Sequence, residues 1–150
     1  MTSTRIEFAF NKISRISDLS DLAEMLFPGN RNQQHAFLVI WISLKWRADN
    51  IVPNLSEAVG EHGVSRRTFE RVRAKMRRMG LIDHVSRFST RHGGREGWVL
   101  SSRLERALDQ LADKVAGLMD ASAQARDKDV LLLQLADARR GDSHGRPVTP

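Results

Sequence analysis

Residues 63–82 read Gly-Val-Ser-Arg-Arg-Thr-Phe-Glu-Arg-Val-Arg-Ala-Lys-Met-Arg-Arg-Met-Gly-Leu-Ile, and the expected fold follows chiefly from this segment. Ser65 stands before a periodic run, where its hydroxyl can cap a helix by accepting a hydrogen bond from a free backbone N–H. Gly80 follows the last periodic residue and is the residue type expected at a left-handed helix stop. The stretch therefore predicts a tight turn followed by a helix over residues 65–79.

This helix is predicted to have one apolar side and one cationic side. Its apolar residues recur at spacings of three, four and three, which is one face of an α-helix: Phe69, Val72, Met76 and Met79. The basic residues cover the rest of the helix surface. Arg67, Arg71 and Arg78 lie opposite the apolar stripe. The flanks of the stripe carry Arg66, Arg73, Lys75 and Arg77. Such a helix can bury one side in a core and present the other to a polyanion, as an element in the DNA major groove must.

Short elements flank the basic helix on both sides. Upstream, residues 54–62 predict a short helix that leads into a turn at 63–64. Downstream, an extended run over 81–88 and a return strand at 98–100 enclose residues 89–97, whose three glycines are typical of a turn. The sequence thus predicts a helix, a turn, a basic helix and a β-hairpin in that order.

This order of elements resembles the winged helix-turn-helix family of DNA-binding domains. The resemblance covers residues 32–118 and is strongest over 54–82, where Met-Gly-Leu-Ile at 79–82 leads into the wing. The helices before and after the wing resemble the layout of multiple-antibiotic-resistance-type regulators, although the usual wing motif of those proteins is not evident here. The resemblance implies a mainly α fold with a small β-hairpin wing, in which a winged helix-turn-helix core carries additional N- and C-terminal helices.

The positive charge of the chain is concentrated in the same region. Residues 65–97 contain ten Lys/Arg and three Asp/Glu, a net charge of +7, whereas the rest of the chain contains fourteen and fifteen, a net charge of −1. The whole positive excess of the chain, +6, therefore comes from this segment. A basic patch confined to one helix and its wing is the electrostatic footprint of a surface that binds phosphates. The alternative is a solvated arginine-rich face, which the coincidence of the charge with the turn and the helix stop disfavours.

We expect the N-terminal half of the basic helix to enter the major groove, where arginine contacts to guanine are the favoured base readout. The residues expected to read bases are Arg66, Arg67 and Arg71. Those expected to contact phosphates from the helix are Ser65, Thr68 and Lys75, with Arg78 on the same cationic face. On the wing, residues 84–97, three arginines suit phosphate or minor-groove contacts: Arg87, Arg91 and Arg95.

The chain has 150 residues and 41% apolar content, which suits one compact domain with appended helices. We predict an N-terminal arm and short helix over 1–31 and the DNA-binding core over 32–102. C-terminal helices for dimerisation are predicted over 103–140, and a disordered tail over 141–150.

The N-terminal third contains three apolar segments. Residues 6–10 alternate as in a short strand or a docking arm, and residues 17–27 predict a short helix. A second helix is predicted over 32–49, because residues 33–48 contain no Gly or Pro and are long for the competing interpretation, a buried strand. Its middle, 36–44, is apolar nearly all round, so it must be buried on more than one side, which favours a subunit interface.

A leucine-patterned helix is predicted to begin near Arg103. Its apolar residues form an a/d seam of about two heptads: Leu104, Leu108, Leu111, Val115 and Leu118. This seam can belong to a helix packed on its own domain or to a dimer helix, and its length does not decide between them. A further apolar cluster at 130–135 exceeds what a small winged core needs, so we favour a homodimer.

Several other classes of protein are disfavoured. The chain has no cysteine for disulfides or zinc–thiolate sites, and its longest apolar run, Ala36–Ile42, is far short of the roughly 20 residues that span a bilayer. The five histidines lack the spacing of a helical zinc site, and a metal held by His84 and His92 across the wing is disfavoured. No phosphate-binding glycine loop or nucleophile elbow occurs. We therefore expect no enzyme, no cofactor and no membrane association, and no signal peptide is evident.

The sequence leads to one main hypothesis and three alternatives. The main hypothesis is a cytoplasmic, nucleoid-associated, dimeric regulator of transcription that binds double-stranded DNA at half-sites about 10–10.5 base pairs apart. A replication or partition protein of a mobile element could use the same domain. A winged-helix protein scaffold is disfavoured by the concentrated arginines, and RNA binding by the absence of tyrosine and of an aromatic platform. The sequence reveals neither the operator nor any small-molecule effector.

Overall fold

The computed structural model describes residues 9–47, 51–86 and 94–143, with side chains described as far as residue 141. Within these ranges the chain forms seven helices and two strands, and they follow one another in this order: α1 Phe10–Ser14, α2 Leu19–Leu26, α3 Arg31–Lys45, α4 Leu55–Gly60, α5 Arg66–Met79, β1 Ile82–Val85, β2 Gly97–Leu100, α6 Arg103–Leu118 and α7 Ala123–Ser143. The predicted mainly α fold with a small β-hairpin is confirmed.

The four consecutive helices α2 to α5 each begin with a short polar side chain that accepts a hydrogen bond from the backbone N–H three residues later. These caps are Asp18 for α2, Asn30 for α3, Asn54 for α4 and Ser65 for α5. Each side chain satisfies one N–H that the first turn of a helix leaves without a partner. The predicted Ser65 cap is confirmed, and the caps fix the starts of the helices that build the core.

Helix α3 is the centre of the fold. It packs against α2, α4, α5 and β2, and the side chains of Phe37 and Ile40 are fully buried. The predicted burial of residues 36–44 on more than one side is confirmed. Elements of the same chain account for this burial, so the subunit interface inferred from it stays a prediction. The helix also ends at Lys45, before the predicted end, and residues 48–50 lie outside the described part.

Helix α5 ends where the sequence predicts, at a glycine in the left-handed conformation. Gly80 has φ +89°, and Leu81 donates its N–H back to the Met76 carbonyl at 2.9 Å. A Cβ atom at Gly80 would lie 2.9 Å from both the Arg103 Cβ and the Leu104 nitrogen. The start of α6 therefore packs directly against the end of α5, and only glycine leaves room for it.

The two strands form an antiparallel hairpin in which Ile82 pairs with Leu100 and Val85 with Gly97. Sequence reasoning missed a further pairing, in which Val52 and Trp98 exchange two backbone hydrogen bonds of 2.9 Å. The chain before α4 thus lies along β2. Of the extended run predicted over 81–88, residues 82–85 are strand, and residues 87–93 lie outside the described part.

The contacts within the chain divide it into two compact units, residues 1–107 and 108–150. In the first unit, the strand or arm predicted over 6–10 lies mostly outside the described residues, and a helix begins at Phe10. In the second unit, α7 continues to Ser143, so the disordered tail predicted from residue 141 was wrong for residues 141–143. No helix in the described part is long and apolar enough to cross a lipid bilayer.

Gly80→Ala should destabilise the first unit. The new methyl group would meet Arg103 and the backbone of Leu104 while the residue stays at a positive φ, so we expect a loss of about 1–3 kcal/mol of unfolding free energy. Urea denaturation followed by circular dichroism measures this loss. As a matched control, Gly60→Ala meets no atom within 4 Å at an ordinary φ, and it should be neutral or slightly stabilising. Equal stability of the two variants would contradict the close packing of the start of α6 against Gly80.

Candidate nucleic-acid interface

The orientation of α5 is set by its apolar side. Phe69, Val72 and Met76 are buried in the core, and α5 packs against α3 and α4. At about 100° per residue, this fixes which side chains point outward. The six arginines of α5 then form two rows on the outward side of the helix, and Glu70 and Ala74 lie between these rows.

We name these rows by their surroundings. The wing-side row consists of Arg66, Arg73 and Arg77, because two of its members lie over a side chain of the hairpin. The far row consists of Arg67, Arg71 and Arg78, all of them exposed. Within α5, Glu70 is the one acidic residue among seven basic ones. The structure thus brings the predicted base-reading residues Arg66, Arg67 and Arg71 together on the exposed surface of the first half of the helix.

Trp98 of β2 links the hairpin to the wing-side row. The guanidinium carbon of Arg73 lies 5.3 Å from the centre of the Trp98 ring and 4.9 Å from that of Phe69, and that of Arg77 lies 5.8 Å from Trp98. The His84 imidazole meets the same indole edge-on at 5.1 Å. These cation–π contacts hold the C-terminal half of α5 and the hairpin in one relative position. Sequence reasoning missed Trp98 because its role depends on a strand pairing that no local pattern reveals.

A groove of about 680 Å³ runs between α5 and the hairpin. Its charged and aromatic lining includes Arg73, Arg77, Arg78, Arg103, Asp83 and Trp98. With four guanidinium groups and one carboxylate, the groove is strongly cationic. Its chemistry suits the phosphodiester backbone of a nucleic acid, because a guanidinium group can donate two parallel hydrogen bonds to phosphate oxygens.

Asp83, the one carboxylate in the lining of this groove, is engaged by Arg103. Arg103 donates from Nε to the Asp83 Oδ2 at 3.1 Å and from Nη2 to Oδ1, and its Nη2 also reaches the carbonyl of Arg77 at 2.9 Å. Burial alone would raise the pKa of Asp83, but hydrogen bonds from Arg103 and Ser101 and the charges of Arg103 and Arg77 outweigh it and lower the pKa. Asp83 is therefore charged at neutral pH, and the pair joins the start of α6 to β1 and α5.

Lys75 does not belong to the exposed basic surface, and the expectation that it contacts phosphates was wrong. Its side chain is 6% exposed, donates a hydrogen bond to the Leu26 carbonyl at the end of α2, and lies with Nζ 4.6 Å from the centre of the Phe27 ring. Burial lowers the pKa of its ammonium group. The helical wheel places Lys75 on a flank of the apolar stripe, and α2 happens to cover that flank.

The remaining predicted site residues differ in their positions. Ser65 and Thr68 lie at the start of α5, where the Ser65 hydroxyl donates to the Thr68 hydroxyl at 2.9 Å and accepts from the Thr68 N–H at 3.2 Å. Arg95 is exposed on the hairpin. Arg87 and Arg91 lie outside the described residues, as does His92. No group of three His, Cys, Asp or Glu side chains in the described ranges could hold a metal ion.

The second unit has a surface of the opposite character, which we call the C-terminal apolar surface. Its large apolar side chains are exposed: Leu108, Leu111, Val115 and Leu118 on α6, and Val130, Leu131, Leu132, Leu133 and Leu135 on α7. Earlier on α6, Leu104 packs against the core of the first unit. The exposed side chains include the four members of the predicted a/d seam that follow Leu104.

Comparison of the chain with protein-family models, curated proteins and solved structures found no match.

Lys75→Met should remove a gain in stability at alkaline pH. Burial holds the pKa of Lys75 below 10.5 in the folded protein, so the unfolded chain binds more protons between the lowered pKa and 10.5. The free energy of unfolding should therefore rise with pH across that window in the wild type and rise less in the variant. Urea titrations at a series of alkaline pH values measure this difference, and the chain has no tyrosine or cysteine to titrate in the same range.

The matched control is Lys45→Met, which removes an exposed lysine from the end of α3. This control should keep the wild-type rise. If Lys75→Met also keeps it, the ammonium group of Lys75 is not buried as described.

Proposed function

We propose that this protein is a sequence-specific double-stranded DNA-binding protein that regulates transcription as a dimer in the cytoplasm, on the nucleoid. One observation carries this proposal: α5 buries its apolar side in the core and exposes arginines along its outward side, next to a cationic groove that reaches the hairpin. This combination matches the two parts of DNA recognition, which are base edges in the major groove and the flanking phosphates.

In the proposed complex, the first half of α5 lies in the major groove, which is wide enough to admit an α-helix. Arg66, Arg67 and Arg71 read base edges there. Ser65 and Thr68 contact the backbone at the entry of the helix, where the free N–H groups of its first turn also favour a phosphate.

The groove between α5 and the hairpin takes the phosphodiester backbone beside the bases. Arg77 and Arg78 supply its contacts from the helix. Arg95 extends the cationic surface along the wing, and the sequence between the two strands contains two further arginines, Arg87 and Arg91. Trp98 supports this role, because it fixes the hairpin relative to α5 before DNA arrives.

Dimerisation is proposed from the C-terminal apolar surface. An exposed cluster of this size is unusual on a monomer and is typical of a protein interface. The segment 130–135 of α7 is apolar nearly all round, so it needs covering from more than one side. Residues 108–150 carry six Lys/Arg and seven Asp/Glu, so two copies could approach without strong charge repulsion.

The second candidate function is that of a protein scaffold, and the C-terminal apolar surface is the observation that favours it. It leaves α5 unexplained, because the centres of protein interfaces are depleted of concentrated charge. A replication or partition protein of a mobile element would use the same DNA contacts and differ only in which site it marks.

Selection of bound sites from a random duplex pool tests the proposal directly. An enriched palindrome is the expected result for a dimeric, sequence-specific protein. Broad enrichment without a motif would contradict sequence specificity, and no retention of DNA would favour the scaffold.

Arg67→Ala and Arg71→Ala should each weaken binding to the selected site by about 1–3 kcal/mol and relax its base preference. Fluorescence anisotropy titrations with the selected duplex and a scrambled duplex measure both effects. The matched control is Arg126→Ala, which removes an exposed arginine from α7 and should leave affinity within about 0.5 kcal/mol of the wild type. If the α5 variants behave like the control, the docking of α5 is wrong.

Replacing Leu132 and Leu133 together with glutamine should shift the protein from dimer to monomer. Both side chains are more than half exposed in the single chain, and burial of each is worth about 1.5–3 kcal/mol in an interface. Light scattering at micromolar concentration gives the mass. Gln124→Ser, on the same helix but outside the cluster, should remain dimeric. A wild-type protein that is monomeric in this measurement would refute the dimer.

A further inference from the structure

Glu70 is an unexpected residue in its position. It lies on the outward side of α5 between the two rows of arginines, and it is the only carboxylate of that helix. A negative charge there weakens the attraction of the helix for any phosphate. A helix that bound DNA only through its backbone would be better served by a neutral residue at this position.

The structure pairs Glu70 with Arg66. The Arg66 Nε lies 3.1 Å from the Glu70 Oε1, and the two side chains are 51% and 88% exposed for Glu70 and Arg66 respectively. This bond uses Nε, so the edge of the guanidinium between the two terminal Nη groups is not the edge that binds the carboxylate. Those two groups form the fork with which arginine binds two acceptors side by side.

Helix stability is a poor explanation for this pair. Exposed pairs four residues apart contribute only about 0.3–0.5 kcal/mol. The order matters as well, since an acidic residue placed before its basic partner is the more favourable arrangement and this pair has the reverse order. Glu70 also lies beyond the first turn, where a carboxylate interacts best with the helix dipole.

We propose that Arg66 and Glu70 act together as a reader of G·C base pairs. This inference rests on the proposed function, in which α5 lies in the major groove. Arg66 donates from its two Nη groups to the O6 and N7 of a guanine, which is the acceptor pair that suits an arginine fork. Glu70 accepts from the N4 amino group of a cytosine in the same or the neighbouring pair.

Glu70 has a second role in this arrangement, as a positioning residue for Arg66. Its bond to Nε holds the guanidinium plane in one orientation before DNA arrives, which reduces the side-chain entropy lost on binding. Its charge also disfavours phosphates and the acceptor atoms of the wrong bases at this point of the groove. The pair therefore increases the discrimination between base pairs and lowers the affinity for DNA of any sequence.

Glu70→Gln separates these two effects because they change in opposite directions. The probes are the duplex selected by the wild-type protein, copies of it with each G·C pair changed to A·T, and a duplex of random sequence. The variant should bind the random duplex about two- to fivefold more tightly, since one repulsive charge is gone. Its preference for one particular G·C pair should fall about tenfold, within the range that a good base contact supplies.

Arg66→Lys provides the second variant. It keeps the positive charge and loses the fork, so the preference for the same G·C pair should be lost, and the affinity for the selected duplex should fall more than the affinity for the random duplex. The matched control is Glu24→Gln, which removes an exposed carboxylate from α2 and should change neither quantity. Circular dichroism of each variant confirms that the helices are retained.

The results distinguish this inference from the proposed function. A wild-type protein that binds no duplex refutes both. If the wild type selects a site but Glu70→Gln tightens binding to the selected and random duplexes by the same factor, the proposed function stands and the Arg66–Glu70 reader is wrong. A selected site without any preferred G·C pair would overturn the reader in the same way.

Discussion

The burial of Phe69, Val72 and Met76 against α3 and α4 is the constraint on which the rest of the structure depends. An α-helix fixes the angle between successive side chains, so burying three apolar residues fixes the rotation of α5 about its own axis. The arginines must then face outward, because the core offers no partner for so many charges. The cationic surface is thus a consequence of core packing, and only Lys75 is drawn inward, where α2 supplies a carbonyl acceptor.

A second set of contacts extends this constraint to the hairpin. Trp98 pairs with Val52 through the backbone and with Arg73 and Arg77 through its ring. Gly97 has no Cβ, and one would lie 2.6 Å from the Val52 carbonyl oxygen, so the close approach of this segment to β2 requires glycine. The hairpin is therefore held from both sides, which makes the groove beside α5 a preformed feature of the first unit. A preformed surface loses less conformational freedom when it binds a ligand.

Local patterns in the sequence were enough to predict α2 to α7 and the position of the hairpin, whereas α1 was not predicted. The cap at Ser65, the stop at Gly80 and the apolar stripe between them each depend on residues within a few positions of one another. The features that the sequence missed depend on distant residues. The Val52–Trp98 pairing joins segments on either side of α4 and α5. The burial of Lys75 requires the end of α2, at Leu26 and Phe27, to lie beside one flank of α5. The burial of residues 36–44 was attributed to a subunit interface for the same reason, because the neighbours that α3 has within the chain cannot be read from its own sequence.

Charge and apolar surface are separated between the two units of the chain. Residues 1–107 carry eighteen Lys/Arg and eleven Asp/Glu, whereas residues 108–150 are almost neutral and expose the C-terminal apolar surface. Such a separation lets each surface act without weakening the other, since an apolar contact inside the arginine patch would have to bury charge. If the second unit joins two copies, the second α5 binds as an intramolecular event, at an effective concentration far above that of free protein. A modest affinity of each α5 for DNA is then sufficient for a stable complex. A residue such as Glu70, which lowers the affinity for DNA but increases the discrimination between sequences, is compatible with such a complex.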